Sequence, residues 1–305
     1  MSEQVMLDAF CVDLEDWFHI CAVKTPYENP ASWDSADSHI ERHTDVLLGL
    51  LDEVGAKGTF FGVGWIANKH PRLIQKISDL GHEVGCHGYF HRLVYTQSPK
   101  AFREDLTRAR KVLQDCSGKE VVTYRAPGFS MKRECFWAYE ILAQEGFVID
   151  VSIVPAVRDH GGVRGFFRSP FKLRTMDLGI TVFPVSVMSI FGITTPFSGG
   201  GYLRLFPISL IKYGCHQIHK RRQPAMIYIH PREVDPNQPR LRLPIKRAFK
   251  YYVGLRTTIP KLKHLLRAYH FGTVSEVVKQ LPHLPVYNLI NNGFDPVEGT
   301  LWDIQ

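Results

Sequence analysis

The stretch SHIERHTDVLLGLLDEVGAKGTFFGVGW, residues 38–65, indicates the fold class of this chain. Its first half places Val46, Leu47, Leu50, Leu51 and Val54 at the spacing of one helix face, which predicts an amphipathic helix. Its second half, GTFFGVGW, is short, apolar and bounded by glycines, as is typical of a buried strand. A helix followed directly by a buried strand is the unit from which parallel α/β folds are built.

The same alternation continues along the chain. Its next segments are predicted as helix PRLIQKISDLG, strand HEVGCH, helix SPKAFREDLTRARKVLQDCSG, strand VVTYRAPGFS, helix CFWAYEILAQEGF and strand VIDVSIVP. Glycine and proline are dense between about 155 and 205, and the pattern then recovers with ISLIKYGCHQIHKR, AMIYIHP and TTIPKLKHLLRAY. Strict alternation predicts parallel β/α units with right-handed crossovers, in one domain with a long inserted loop region.

The composition bounds the class of protein. The chain has 305 residues, 45% of them hydrophobic, and a formal net charge of +7, which favours anionic partners such as a membrane surface or an acidic glycan. We expect no nucleic-acid partner. The sequence shows no signal-peptide pattern and no apolar run of about 18 residues, so we predict a cytoplasmic protein. Six cysteines without a CxxC pair predict free thiols.

Three acids end the first apolar run, in the stretch VDLEDWFHI (12–20). Because strand side chains alternate between faces, Asp13 and Glu15 are expected to point the same way and Asp16 the other way. Reactive groups in folds of this kind collect at the carboxyl ends of strands. One carboxylate could act as a base and another as a metal ligand, and a turn of solvated acids is the alternative.

Two histidine pairs have a spacing that could hold a divalent ion. His87 and His91 follow a predicted strand, and two imidazoles at this spacing reach one side of a helical turn. A carboxylate from elsewhere would be the third ligand. His39 and His43 have the same spacing, but they lie at a helix start, where solvated histidines are expected.

Two further strand ends carry reactive groups. Arg125 precedes a Pro-Gly bend in YRAPGFS, where it could pair with a carboxylate while the bend offers a backbone N–H to an oxyanion. His230 ends the apolar strand of MIYIHPRE and is a candidate general acid. A surface arginine and a structural histidine are the alternatives.

In combination these motifs resemble the NodB-type polysaccharide deacetylases of carbohydrate esterase family four. The resemblance runs from about residue 8 to 232 and rests on CVDLED, GTFFGVG, HGYFH, YRAPG and YIHP. The segments VDLEDWFH, DVSIVP, SGGGYLRLFP and YIHPRE are similar to a branch found with exosortase and exopolysaccharide gene clusters. The resemblance implies a distorted (β/α) barrel of about seven units over residues 1–232, with a C-terminal extension over 233–305 packed on the barrel.

The activity implied is metal-dependent removal of N-acetyl groups from sugars of a polysaccharide or a lipid-linked glycan precursor. One divalent ion, expected to be zinc, would be held by His87, His91 and one acid of the first motif. The common family pattern has two adjacent aspartates before a glycine, whereas this chain has DLED. The ligand is therefore Glu15 or Asp16, and strand alternation favours Glu15.

The resemblance also implies roles for the remaining groups. Asp13 would be the base, Arg125 would orient it and keep it ionised, and His230 would protonate the leaving amine. Asp150 is expected to orient His230. A backbone N–H near Gly128 would stabilise the oxyanion.

The sequence also suggests which residues contact the substrate. Sugar stacking is expected at three aromatic side chains, those of Trp17, Tyr89 and Tyr202. A glycan precursor at the inner face of a membrane would bring the basic segment 240–252 close to anionic lipid. Three alternatives remain, an allantoinase-like hydrolase of a small cyclic amide, a non-catalytic glycan-binding relative and a nucleic-acid binder, the last of which is suggested only by the net charge.

Overall fold

The computed structural model describes residues 6–157, 161–175, 178–281, 284–290 and 293–296. Within these ranges the strands are β1 (Leu7–Leu14), β2 (Thr59–Gly62), β3 (Glu83–Cys86), β4 (Thr123–Tyr124), β5 (Ile149–Asp150), β6 (Phe171–Arg174), β7 (Gly179–Val182), β8 (Val187–Ile190), β9 (Ile193–Pro196), β10 (Met226–Ile229), β11 (His270–Gly272), β12 (Val286–Ile290) and β13 (Gly293–Pro296). The α-helices are α1 (Ile40–Asp52), α2 (Gly64–Lys69), α3 (Pro71–Asp79), α4 (Pro99–Ser117), α5 (Trp137–Gln144), α6 (Gly200–Leu205), α7 (Ile208–His219), α8 (Ile245–Tyr252), α9 (Thr258–Ala268) and α10 (Val274–Gln280).

A mostly parallel sheet organises the molecule. Its parallel strands follow the order β10, β1, β2, β3, β4, β5 and β7, and β6, β12 and β13 extend it beyond β7. Among the described residues, no strand pairing joins the two ends of this order into a closed ring. The predicted α/β class is confirmed, and the strand pattern is that of a distorted (β/α) barrel.

Strand β1 lies at the centre of this arrangement. It pairs with β10 on one side and β2 on the other, while β11 pairs with its first residues. A strand covered on both faces is expected to be a continuous apolar run, and all of β1 except Leu7 is buried. The register sets Val12 opposite Ile229 and Asp13 opposite Phe61, so residues that follow β10 reach the end of β1.

The predicted helices lie at the positions that the spacing of apolar residues indicated. Helix α1 buries Leu47, Leu50 and Leu51. Ser98 is the N-cap of α4, and its hydroxyl accepts a hydrogen bond from the Ala101 N–H at 3.2 Å. Val46 and Val54 do not join the buried face of the first helix, since Val46 is 37% exposed and Val54 is 38% exposed and lies beyond the end of α1.

One region differs from the predictions. The stretch predicted as inserted loops contains β6 to β9 and α6, because short strands rich in glycine and proline leave no clear periodicity in the sequence. Beyond residue 233, β11 pairs with β1 and α8 lies against α6.

All six cysteines are free thiols, as predicted. Within the described ranges, no helix combines the length and the apolar character needed to cross a bilayer.

Candidate active site

The carboxyl ends of four parallel strands bring the candidate residues together. Asp13 lies at the end of β1, His87 follows β3, Arg125 follows β4 and His230 follows β10. Parallel strands direct their carboxyl ends to the same edge of the sheet, and loops from that edge form the site.

A buried ion pair joins two of these residues. The Arg125 Nη1 atom lies 2.5 Å from Asp13 Oδ1, and both side chains are at most 1% exposed. The guanidinium also lies 4.3 Å from the centre of the Phe61 ring. Burial would lower the pKa of Arg125, but the carboxylate of Asp13 raises it above its ordinary value, so the guanidinium stays charged.

Glu15 lies between the two histidines of the HGYFH motif. Its Oε1 atom is 2.9 Å from His91 Nε2 and 3.2 Å from His87 Nε2, and all three side chains are buried. Burial would raise the pKa of Glu15, but His91 and His230 hold it well below its usual range. A carboxylate and two imidazoles whose donor atoms converge in this way are a zinc-type ligand set.

The second nitrogen of each imidazole supports this assignment. His87 Nδ1 donates to the backbone carbonyl of Arg125 at 2.7 Å, which orients the ring so that Nε2 faces Glu15. His91 Nδ1 lies 3.3 Å from the thiol of Cys21. The residues present therefore fit a divalent ion.

The histidine pair does not lie on a helical turn, as its spacing suggested. The connecting loop turns through left-handed conformations at Gly88 (φ +73°) and His91 (φ +51°), and the two rings are 5.0 Å apart. Positive φ is rare for a residue with a side chain and is found preferentially at functional sites.

Asp16 points away from this triad. Its carboxylate accepts hydrogen bonds from the Ser38 hydroxyl at 2.6 Å and from the His39 backbone N–H at 3.0 Å, at the start of α1. Of the two acids left open by the sequence, Glu15 thus lies against the histidines and Asp16 supports a helix end.

The second histidine pair is also placed differently from the prediction. His43 is buried rather than solvated, and its Nε2 atom lies 3.0 Å from Asp235 Oδ2. Arg42 lies among His39, His43 and Asp235 within 3.3 Å of each, so a cation already occupies the centre of this cluster.

The carboxylate that contacts His230 is Glu233, a residue that the sequence analysis did not select. His230 Nδ1 lies 2.5 Å from Glu233 Oε1, and Glu233 Oε2 lies 2.6 Å from Nε of the buried Arg204. Burial would raise the pKa of Glu233, but Arg204 and His230 lower it to about 2. The spacing in HPRE is that of a capping box with proline at the first position, and this signal could have identified Glu233.

Asp150 was expected in that role and is placed elsewhere. Its carboxylate accepts hydrogen bonds from the Ser152 hydroxyl at 2.5 Å and from Tyr139 at 3.3 Å. Burial raises the pKa of Asp150 to about 6 despite the hydrogen bonds from Ser152. Asp150 lies two strands beyond β3 in the sheet order, and its side chain is taken up by these local partners.

A cavity of about 730 Å³ opens at this edge of the sheet, and Asp13, Glu15, His91 and His230 form part of its wall. Of the predicted substrate contacts, Tyr202 and Gly128 also line it. Sequence analysis missed other lining residues, among them Cys21, Tyr228, Arg232 and Tyr251.

Two predicted sugar platforms do not reach the cavity wall. Trp17 is 7% exposed, packs edge-on against Phe18 and donates its Nε1–H to the carbonyl of Asp37 at 2.8 Å. Tyr89 is 3% exposed, and the Arg108 guanidinium lies 3.7 Å above its ring. Both aromatic side chains are used in internal packing.

The geometry of the two acids leads to a prediction about metal uptake. Glu15→Ala should abolish stoichiometric uptake of zinc because the triad loses its carboxylate. Asp16→Ala should retain the metal and lower the free energy of unfolding by roughly 1–3 kcal/mol, since buried N–H and O–H groups lose their acceptor. Elemental analysis and urea denaturation of both variants measure this. Metal loss in Asp16→Ala with retention in Glu15→Ala would contradict the assignment.

The depressed pKa of Glu233 predicts a pH-dependent stability. Its folded pKa of about 2 lies below the ordinary value of 4.5, so its contribution is present above pH 4.5 and is lost as the pH falls toward 2. Between pH 5 and pH 3, Glu233→Gln should therefore lose less unfolding free energy than the wild type, by on the order of 2 kcal/mol. Urea denaturation at each pH is the measurement.

The control for this prediction is Glu53→Gln, because Glu53 forms only an exposed ion pair with Lys263. Its pH dependence should match that of the wild type. If the unfolding free energies of the wild type and of Glu233→Gln fell in parallel with pH, the buried network would not be the source of the pH dependence.

Comparison with known proteins shows which families and proteins this chain is similar to. Residues 31–145 match the family model described as polysaccharide deacetylase, and residues 151–279 match a domain of unknown function, DUF3473. A peptidoglycan deacetylase of Helicobacter pylori is 29% identical over 108 residues, which are 35% of this chain and 36% of that protein. The peptidoglycan-N-acetylmuramic acid deacetylase PdaA of Bacillus subtilis is 28% identical over 85 residues, 28% of this chain and 32% of that protein.

The chain thus spans about a third of the length of these curated relatives. A solved structure from Mycobacterium smegmatis, assigned as a polysaccharide deacetylase, superimposes with a TM-score of 0.55 at 22% identity and covers 85% of this chain and 89% of that one. This likeness supports the fold. The family match identifies residues 31–145 as a polysaccharide deacetylase domain, in agreement with the NodB-type resemblance of the strand-end motifs.

Proposed function

We propose that this chain is a metal-dependent hydrolase that removes N-acetyl groups from sugars of a polysaccharide or a lipid-linked glycan precursor. One observation carries the proposal: the buried carboxylate of Asp13 lies 3.7 Å from Nε2 of His230, directly beside the Glu15–His87–His91 triad. Amide hydrolysis needs a base for water, an acid for the leaving amine and an electrophile for the carbonyl, and this arrangement offers all three.

Each residue has a distinct task in this proposal. A divalent ion held by Glu15, His87 and His91, with zinc as the expected ion, would polarise the amide carbonyl and lower the pKa of a water molecule. Asp13 accepts the proton of the attacking water, and Arg125 keeps it ionised. His230 then donates a proton from Nε2 to the departing nitrogen.

The contacts of His230 suit the role of acid. Its Nδ1–H donates to Glu233, which fixes the orientation of the ring. Its Nε2 atom is 3.7 Å from both Asp13 and Glu15, so the proton-donating edge faces the base and the triad.

The cavity favours a glycan over a small cyclic amide. Its volume of about 730 Å³ exceeds what one ring needs, and its rim includes the exposed side chains of Val157 and Ile245. An open cleft of this size can accept neighbouring sugars of a chain. Exopolysaccharide biosynthesis is the process that we propose for it.

The rim also supports a proposal about location. Ile245 and Phe249 on α8 are 85% and 55% exposed, and Leu205 on the adjoining helix α6 is 48% exposed. Lys246 lies beside them on the same helix and is exposed. Apolar side chains bordered by cations suit the interface of an anionic membrane, so we propose that the cleft opens toward the inner face of such a membrane.

The proposed activity predicts a large effect of the acid. His230→Gln should lower kcat for acetate release from N-acetylglucosamine oligosaccharides by roughly a hundredfold or more while retaining bound zinc. The exposed His264 provides the control, and His264→Gln should keep full activity. Acetate release is followed enzymatically and metal by elemental analysis. Turnover of allantoin without acetate release would instead favour the cyclic-amide alternative.

The membrane proposal predicts binding to lipid vesicles. The wild type should co-sediment with vesicles of anionic phosphatidylglycerol and less with neutral phosphatidylcholine. Ile245→Asp/Phe249→Asp should weaken the binding by roughly tenfold or more, because two large apolar side chains no longer enter the interface. Equal sedimentation of the variant and the wild type would contradict a role for α8.

A further inference from the structure

Two buried arginines lie on the same wall of the cavity and differ in their partners. Arg204 is 3% exposed, and its guanidinium contacts Glu233 and the carbonyls of Gly200, Lys250, Tyr251 and Val253. Every nitrogen of Arg204 is thus engaged with protein. Its role is to join the end of α8 to the carboxylate that holds His230.

Arg232 is buried to a similar degree without such partners. It is 5% exposed, and its Nε and Nη1 atoms have no hydrogen-bond acceptor among the described residues. Within the same ranges, no carboxylate oxygen lies within 4.0 Å of its guanidinium nitrogens. The centre of the Tyr251 ring lies 4.2 Å from its guanidinium carbon. A buried cation whose donors lack acceptors is costly and calls for a compensating anion.

The charge of the cavity wall also favours binding of an anion. Its lining includes the cations Arg204, Arg232, Lys246, Arg247 and Lys250. The lining acids are Asp13 and Glu15, and both are already engaged, one with Arg125 and the other with the histidines. The part of the wall formed by Arg232 and α8 is therefore positive and attracts an anionic group.

We propose that Arg232 forms an anion subsite in this cavity and that the N-acetylated sugar presented to Asp13 and His230 carries a phosphate or carboxylate group. A guanidinium binds the oxygens of either group through two parallel N–H donors. The inference rests on the proposed deacetylase function and narrows it to acidic or phosphate-linked N-acetyl sugars.

Equilibrium binding tests the subsite independently of turnover. N-acetylglucosamine 1-phosphate, N-acetylmuramic acid and neutral N-acetylglucosamine are titrated calorimetrically into the full chain at constant ionic strength. The wild type should bind at least one anionic sugar roughly tenfold to a hundredfold more tightly than the neutral one. A preference for the phosphate would indicate a phosphate-linked substrate, and a preference for the carboxylate would indicate an acidic glycan. Equal affinity for all three sugars would overturn the proposal.

Variants assign the effect to Arg232. Arg232→Gln should lose the preference for the anionic sugar, and Arg232→Lys should keep part of it because the charge remains without the planar fork. Arg267→Gln removes the same charge from the exposed last turn of α9 and should leave the preference unchanged. An unchanged preference in Arg232→Gln, or an equal loss of affinity for the neutral sugar, would overturn the assignment.

The metal provides the last control, because a phosphate could also bind an ion at the triad. The same titrations are run on protein stripped with a chelator and dialysed. A preference that persists without the metal and depends on Arg232 supports the subsite, whereas one that disappears with the metal overturns it. Absence of acetate release from every substrate would count against the proposed function and would not alter these affinities.

Discussion

The buried ion pair between Asp13 and Arg125 is the constraint on which the rest of the site depends. Removing one partner of such a pair typically costs about 3–5 kcal/mol, because the other charge is left without compensation. Asp13 ends β1 and Arg125 follows β4, so β2 and β3 must curve to let the two meet. Gly85 on β3 makes room for this, since a Cβ atom there would lie 2.6 Å from the ring of Phe61, which packs against the guanidinium.

Arg125 also connects Asp13 to the Glu15–His87–His91 triad. Its side chain pairs with Asp13, while its backbone carbonyl accepts the hydrogen bond of His87. His230 belongs to a separate network, in which Arg204 pairs with Glu233 and Glu233 holds His230. The two networks approach each other where Nε2 of His230 lies 3.7 Å from Asp13. Asp13 and His230, the base and the acid of the proposed mechanism, are thus positioned by different buried arginines.

The sequence was informative where chemistry follows from strand geometry. Polar residues at the ends of predicted strands identified Asp13, His87, Arg125 and His230, and alternation along β1 separated Glu15 from Asp16. Contacts formed by turns were harder to predict. The partner of His230 depends on a short turn that brings Glu233 back to it, and the loop of His91 depends on a left-handed conformation.

Aromatic residues and buried arginines were the least predictable. Trp17 follows the first acids, and this sequence context is the same for a side chain that stacks on a sugar and for one that packs in the interior. The course of the following loop decides, and it packs Trp17 against Phe18. Arg204 and Arg232 lie in segments without periodicity, and their burial arises from contacts with α8, more than 15 residues away along the chain.

The position of β10 beside β1 has a consequence for how such chains are divided. The first matched region ends at residue 145 and the second begins at 151, yet His230 lies in the second and reaches Glu15 of the Glu15–His87–His91 triad, whose histidines lie in the first. Strands of both regions belong to one sheet, so neither region holds the whole cluster by itself. An insertion at the junction of the two regions would therefore have to preserve the pairing of β10 with β1 for His230 to stay beside Asp13.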